Sequence, residues 1–235
     1  MKLENAVVLI TGANRGLGLA FAREALARGA RKVYAAARDP SSVKLDGVVP
    51  VRLDVNKPED VAALARDLRD VQVLINNAGI AITGGFLNAD SASQAQAMLD
   101  TNFFGPMRLT QAFAPILAAN GGGAVLNVLS VASWINGPLL GAYGASKSAA
   151  WALTNGLRIE LQGQGTQVLG LHAGFIDTDL TQGLEVPKST PQAIVMAAFD
   201  GLESGAREVL ADDISRMVHQ GLTAEPAVYL QAIER

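Results

Sequence analysis

Residues Val7-Val8-Leu9-Ile10-Thr11 run straight into Gly12-Ala13-Asn14-Arg15-Gly16-Leu17-Gly18, and a helical pattern begins at once. A run without polar alternation has no face to offer water, so it suits a strand covered on both sides, as in a parallel sheet. The glycines permit a tight turn, and Leu17, Ala20, Phe21 and Leu26 then share one side of a helix that stops at Gly29. Strand, glycine turn and helix in that order restrict the chain to a βαβ design more firmly than any other stretch does.

The alternation continues along the chain. Strand-like runs fall at Ala6–Thr11, Lys32–Ala37, Val48–Asp54, Val71–Asn76, Ala124–Ser130, Gln167–His172 and Glu208–Ala211. Helical patterns lie at Leu17–Arg28, Pro58–Arg69, Ser93–Ala119, Ala142–Gln162 and Pro191–Ser204. This spacing predicts a doubly wound α/β fold of the Rossmann kind, a parallel sheet of about seven strands with helices on both faces. With 49% hydrophobic residues there is ample material for a packed core, and no repeat, linker or composition shift divides residues 1–235, so one domain is expected. The least regular segment is Asp177–Ser189, which carries Gly183 and Pro187 and is expected to form a substrate loop.

Charge and residue usage exclude several functions. A net charge of −3 offers no basic face for nucleic acid. The absence of cysteine removes disulfides, thiol catalysis and iron–sulfur clusters, and suits a reducing compartment. With only His172 and His219, a histidine-based metal site is not expected, and a Ser-His-Asp triad would have to use one of these two. The apolar run after Asn5 is too short for a signal-peptide core, and no stretch is long enough to span a membrane. A cytoplasmic protein without membrane contact is expected.

In a doubly wound sheet, ligands sit beyond the carboxyl ends of the strands. The first strand ends at the glycine turn, whose following helix offers unpaired N–H groups and a positive dipole end to a pyrophosphate. The other ends carry Arg38, then Asp54-Val55, Asn76-Asn77-Ala78-Gly79, Ser130, and His172-Ala173-Gly174-Phe175-Ile176. The helix after the fifth strand opens with Gly141-Ala142-Tyr143-Gly144-Ala145-Ser146-Lys147, nearly all small residues. Tyr143 and Lys147 are four positions apart and share one helix face. An ammonium near the phenol is expected to lower the phenol pKa from its usual value of about 10 and make Tyr143 a usable proton donor or acceptor.

Together these residues resemble the short-chain dehydrogenase/reductase family of the single-domain kind, over nearly the whole chain and in the family's order. The resemblance rests on the glycine turn Thr11–Gly18, Asp54, Asn76–Gly79, Asn102, Ser130, and Tyr143-x-x-x-Lys147, with Ser130 preceding Tyr143 by 13 residues. One departure is Ala173-Gly174, where the family often has Pro-Gly. Its loss is expected to loosen that turn. The resemblance implies Tyr143 as general acid in carbonyl reduction. Lys147 would lower the Tyr143 pKa and bond the nicotinamide ribose, Ser130 would hold the substrate oxygen, and Asn102 would anchor a water that relays protons. It implies a cofactor site made of Gly12, Asn14, Arg15, Gly16, Leu17, Gly18, Arg38, Asp54, Val55, Asn76, Asn77, Ala78, Gly79, Tyr143, Lys147, Gly174, Ile176 and Thr178.

Which nicotinamide cofactor fits is a contest between neighbours. An acid about 20 residues past the turn marks NAD sites, and Asp39 stands there. Yet Arg38 comes first, and Asp39-Pro40 reads as a turn beyond the site. Arg38 and Arg15 suit the 2′-phosphate of NADP, so NADP(H) is expected. The substrate walls offer Ile80, Ile82, Trp134, Leu139, Leu140, Phe175, Leu180 and Leu184, of which Trp134 and Leu184 are the preferred contacts beside Ser130 and Tyr143. A small hydrophobic carbonyl or alcohol is the expected substrate. Alternatives are a 3-oxoacyl-carrier reductase, which would want a basic patch, and a regulatory protein that binds NADP(H) without turnover. Surplus apolar residues on Ser93–Ala119 and Ala142–Gln162 suggest a homodimer or homotetramer.

Overall fold

The computed structural model describes residues 1–231. Seven strands form one parallel sheet in the order β3-β2-β1-β4-β5-β6-β7. They are β1 Val7–Thr11, β2 Lys32–Ala37, β3 Val49–Arg52, β4 Val73–Asn76, β5 Ala124–Val128, β6 Gln167–His172 and β7 Glu208–Leu210. The helices are α1 Gly16–Ala27, α2 Pro58–Asp67, α3 Ser91–Leu99, α4 Gly105–Ala119, α5 Gly141–Glu160, α6 Pro191–Ser204 and α7 Asp213–Gly221. The expected doubly wound architecture is the observed one.

The continuous apolar runs are explained by burial on both faces. Val8, Ile10, Val33, Ala35 and Ile75 pack with Phe21 of α1 and Phe199 of α6. The alternate residues Val7, Leu9, Tyr34, Ala36 and Leu74 pack with Val61 and Leu64 of α2, Phe113 and Ile116 of α4 and Leu157 of α5. Side chains of a strand alternate between faces, so each buried strand feeds two cores. The chain reverses direction of growth between β1 and β4, and the crevice there opens toward the strand ends.

Two elements differ from the sequence reading. The long helix expected over Ser93–Ala119 is three pieces, with a π-helical stretch at Asp100–Phe104 between α3 and α4. There the Gly105 N–H returns to the Asp100 carbonyl, five residues back, just before Pro106, which has no N–H to give. Helix α7 was not foreseen. It is short, and Asp212 and Ser215 cap it reciprocally, with Asp212 Oδ1 accepting from the Ser215 N–H at 2.8 Å.

Candidate active site

The glycine turn is held closed by its own backbone. Gly12 and Gly16 have φ of +65° and +52°, and a β-carbon on Gly18 would lie 2.1 Å from the Gly12 carbonyl oxygen. No larger residue fits there. Thr11 Oγ1 accepts from the N–H groups of Asn77 and Ala78 at 3.0 and 2.9 Å, and Asn77 Nδ2 donates to the Thr11 carbonyl at 2.8 Å. Thr11 is therefore a brace of the turn that the sequence reading passed over, although it opens the motif. Helix α1 has neither a side-chain cap nor an acid in its first turn, so its leading N–H groups and dipole face the crevice uncompensated. Asn14 is half-buried and Leu17 buried on either side of the turn.

Asn76 is corrected. Its side chain is buried and donates to Asn127 Oδ1 at 2.8 Å, with Thr110 Oγ1 at 3.4 Å, and so it stitches β4 to β5 and α4 instead of facing a ligand. The cause is strand alternation: Asn76 is the last residue of β4 and points into the sheet face that α4 covers.

At the end of β2, Arg38 is exposed and makes no ion pair among the described residues. Asp39 is committed elsewhere. Its carboxylate caps the turn Pro40–Ser42, accepting from the Ser41 N–H at 2.9 Å, and the Ser41 side chain together with that N–H holds its pKa below the usual carboxylate range. Arg15 pairs with Asp179 at 2.6 Å, joining the glycine turn to the 177–189 loop. Asp54 accepts from the Asn56 N–H at 3.0 Å while its own N–H reaches Asp60, and Val55 is buried.

Ser130, Tyr143, Lys147 and Asn102, expected from the sequence to be catalytic, lie along one rim of the sheet. Ser130 starts the short turn Val131–Ser133, and its Oγ accepts from the Ala132 N–H at 3.1 Å. The hydroxyl hydrogen is left for another partner, and the Ser130 side chain lies close enough to the Tyr143 phenol to act on its pKa. Desolvation pushes the Tyr143 pKa up, and the nearby Ser130 side chain acts the other way. Lys147 is buried, with Nζ donating to the Val128 carbonyl at 2.8 Å, and desolvation lowers its pKa to about 8. The expected lowering of the Tyr143 pKa by Lys147 is thus overturned. The ammonium is turned toward Val128, 5.9 Å from the centre of the Tyr143 ring, and burial dominates both groups.

Asn102 sits in the π-helical stretch, which turns its side chain inward. It accepts from the Ile80 N–H at 2.9 Å and donates to the Ile80 carbonyl and Ser146 Oγ, also at 2.9 Å. A β-carbon on Gly79 would lie 3.2 Å from Asn102 Oδ1 and 3.8 Å from Lys147 Nζ, so these three residues converge.

Past β6, the turn with Ala173-Gly174 is firm where loosening was expected. The Ala173 carbonyl accepts from the Val131 N–H at 3.0 Å, and Gly174 donates its N–H to Asp212 Oδ2 at 2.7 Å. Asp212 takes over the tethering that a proline ring would supply. Ile176 bridges to Ser189, and Thr178 opens the turn Asp179–Thr181 close against Gly16.

Trp134 is corrected as a substrate contact. Its indole stacks on the buried His172 ring at 3.8 Å and meets Trp151 and His219 edge-on. Leu184 is half-buried within the 177–189 loop, where its N–H bonds the Thr181 carbonyl at 3.2 Å. A cleft of about 500 Å³ opens instead between Gly85–Asn88 and Asn136–Pro138, at the start of α5. Phe86 and Leu87 on its wall were not foreseen, because loop residues carry no periodicity. His172 approaches Ser130 at the carbonyl, 3.1 Å from Nδ1, and not at the hydroxyl, so these two residues do not form a Ser-His hydrolytic pair. Among the described residues no cluster suits a metal ion, and no helix is long and apolar enough to cross a membrane.

A dinucleotide-type glycine turn, a crevice at the sheet's reversal point, and Ser, Tyr and Lys converging beside it define a nicotinamide-dependent oxidoreductase. The family model for short chain dehydrogenases matches residues 6–188. The chain belongs to that family, an enzyme family of oxidoreductases. A short chain dehydrogenase from Burkholderia cenocepacia, solved with NADP, superposes with a TM-score of 0.93 at 36% identity, covering 99% of this chain and 100% of that one. The ketoacyl reductase HetN of Nostoc sp. is 32% identical over 230 residues, 89% of this chain and 79% of that protein. The 11-beta-hydroxysteroid dehydrogenase 1A of Arabidopsis thaliana is 34% identical over 197 residues, which cover 77% of this chain and 55% of the plant protein's length.

Proposed function

We propose that this chain reduces a hydrophobic ketone or aldehyde to the alcohol with NADPH, Tyr143 acting as general acid. The observation that carries the reading is the gathering of Ser130, the Tyr143 phenol and the desolvated Lys147, the last two one turn apart on α5. The residues present fit the cofactor. The glycine turn has no room for a β-carbon at Gly18, α1 presents uncapped N–H groups, and Lys147 is a buried amine with one bond partner. When bound, the reduced nicotinamide supplies hydride to the substrate carbon. Ser130 and Tyr143 hold the carbonyl oxygen between two hydroxyls, and Tyr143 gives it a proton as negative charge develops there. The raised phenol pKa keeps that proton in place until it is needed. Lys147 and Asn102 position the ribose side and the route by which the proton is replaced. The cleft walled by Phe86, Leu87 and Pro138 takes the apolar part of the substrate.

Arg38, exposed and unpaired among the described residues, holds the 2′-phosphate, while Asp39 is occupied by its turn. Arg15 joins it by exchanging Asp179 for the phosphate. The NADP bound to the Burkholderia relative supports this preference. The similarity to a ketoacyl reductase makes a 3-oxoacyl thioester a second substrate class to try. The test is NADPH consumption with a panel of aryl ketones, aldehydes, diketones and one 3-oxoacyl thioester. Turnover of at least one carbonyl is expected. Tight NADPH binding with no turnover across the panel would favour a regulatory binding protein instead.

A further inference from the structure

His172 closes β6 with its side chain fully buried, and both ring nitrogens face oxygen. Nδ1 lies 3.1 Å from the Ser130 carbonyl oxygen, and Nε2 lies 3.1 Å from Glu208 Oε1 at the start of β7. A carbonyl oxygen can only accept. A neutral imidazole has one N–H and one lone pair, so either tautomer would aim a lone pair at an oxygen. Both contacts are bonds if Glu208 keeps its proton and gives it to Nε2 of a ring with one N–H on Nδ1, or if each nitrogen carries a hydrogen and Glu208 is ionised.

The surroundings suit the second arrangement. The bond from His172 and the nearby charge of Arg158 hold the Glu208 carboxyl below its usual range. The Trp134 ring lies flat against the imidazole at 3.8 Å and 16°, a geometry that favours a cationic ring. His219 of α7 approaches the other carboxylate oxygen at 3.8 Å. These groups come from β7, α5, the turn after β5, and α7. The Ser130 carbonyl also accepts from the Ser133 N–H at 3.0 Å, and Val131 is tied to Ala173. The backbone that carries the Ser130 hydroxyl is therefore gripped from β6.

We infer that His172, with a hydrogen on each ring nitrogen, is a positioning residue that clamps the Ser130 backbone to Glu208 and so sets the Ser130 hydroxyl against Tyr143. The assignment of Ser130 to catalysis rests on the function proposed above, but the state of the ring does not.

The experiment is nitrogen NMR of histidine-labelled, cofactor-free protein at pH 7. The chain has only two histidines, so a His219→Gln variant assigns the spectrum. Both His172 nitrogens are expected to show N–H character in the wild type. In Glu208→Gln the amide can donate to Nε2, so His172 should return to a single N–H on Nδ1 that still serves Ser130. A wild-type ring with one N–H, or a Glu208→Gln spectrum unchanged from wild type, overturns the inference. On the carbonyl that the panel identifies, His172→Phe should lower kcat tenfold or more with the KM for NADPH unchanged, and His172→Gln, which keeps a donor, should recover part of the loss. Unchanged kcat in His172→Phe overturns the positioning role. A failed carbonyl panel leaves the nitrogen spectrum readable, so the two claims fail separately.

Discussion

Lys147 shows how a single residue can be legible in position and not in state. Its spacing from Tyr143 is plain in the sequence, because helical periodicity fixes which face both share. That it turns to Val128 and loses charge stabilisation depends on burial, which no local pattern reports. The shift has a consequence for stability. The folded pKa of about 8 lies below the unfolded 10.5, so the folded chain binds fewer protons between those values. Stability should therefore rise with pH across that window, and the burial cost should be present in full below it. Lys147→Met should be more stable than wild type at pH 7 by about 1–3 kcal/mol, in thermal or urea unfolding, while losing activity. A variant less stable than wild type would mean that the bond to Val128 outweighs the desolvation. Arg38 is testable in the same single-residue terms. A charge-assisted bond to phosphate contributes roughly 1.5–3 kcal/mol, so Arg38→Ala should cut the NADPH-over-NADH ratio of kcat/KM by about 10- to 100-fold. An unchanged ratio would remove Arg38 from the phosphate site. Asn76 and Trp134 were misread for a shared reason. Their partners, Asn127 and His172, are distant in sequence and meet them only in the folded sheet.

Among the elements, strands and long helices were legible because two-sided burial writes continuous apolar runs and one-sided burial writes helical stripes. What escaped was shorter or irregular. The π-helical stretch at Asp100–Phe104 ends where Gly105 lies against Val55 and Pro106 follows, and a β-carbon on Gly105 would come within 3.1 Å of the Val55 side chain. Helix α7 left a local trace in Asp212 and Ser215, three residues apart, that was not taken up. Asp212 joins this helix to the active-site turn through Gly174. Asp212→Ala removes a helix cap and leaves the Gly174 N–H without its partner. It should cost about 1–3 kcal/mol in denaturant unfolding, and KM for the cofactor should rise. Stability within a few tenths of a kcal/mol of wild type would show that the Gly174 turn is held by other means.

For the whole molecule, the doubly wound topology was predictable from the order of runs, whereas the assembly was only partly so. Of the apolar residues first read as surplus, Leu109, Phe113, Ile116, Leu117, Leu157 and Leu161 are buried within the chain itself. What remains on α4, α5 and the π-helical stretch is Phe103, Phe104, Met107, Trp151 and Leu153, partly exposed, and Ile159 at 76% exposure. A shared face built on these residues is expected to pair two copies. Sedimentation at micromolar concentration should give at least twice 24.5 kDa, and a mass of 24.5 kDa would contradict the pairing.

The central claim is that Tyr143 delivers the proton in carbonyl reduction, and Tyr143→Phe tests it most directly. The variant keeps the ring and removes only the hydroxyl that meets Ser130. NADPH affinity, measured by titration calorimetry, should stay near the wild-type value, while kcat on the carbonyl chosen from the panel falls by about 100-fold or more, the range a general acid contributes. A Tyr143→Phe enzyme that binds NADPH normally and keeps more than a tenth of the wild-type kcat would contradict the account.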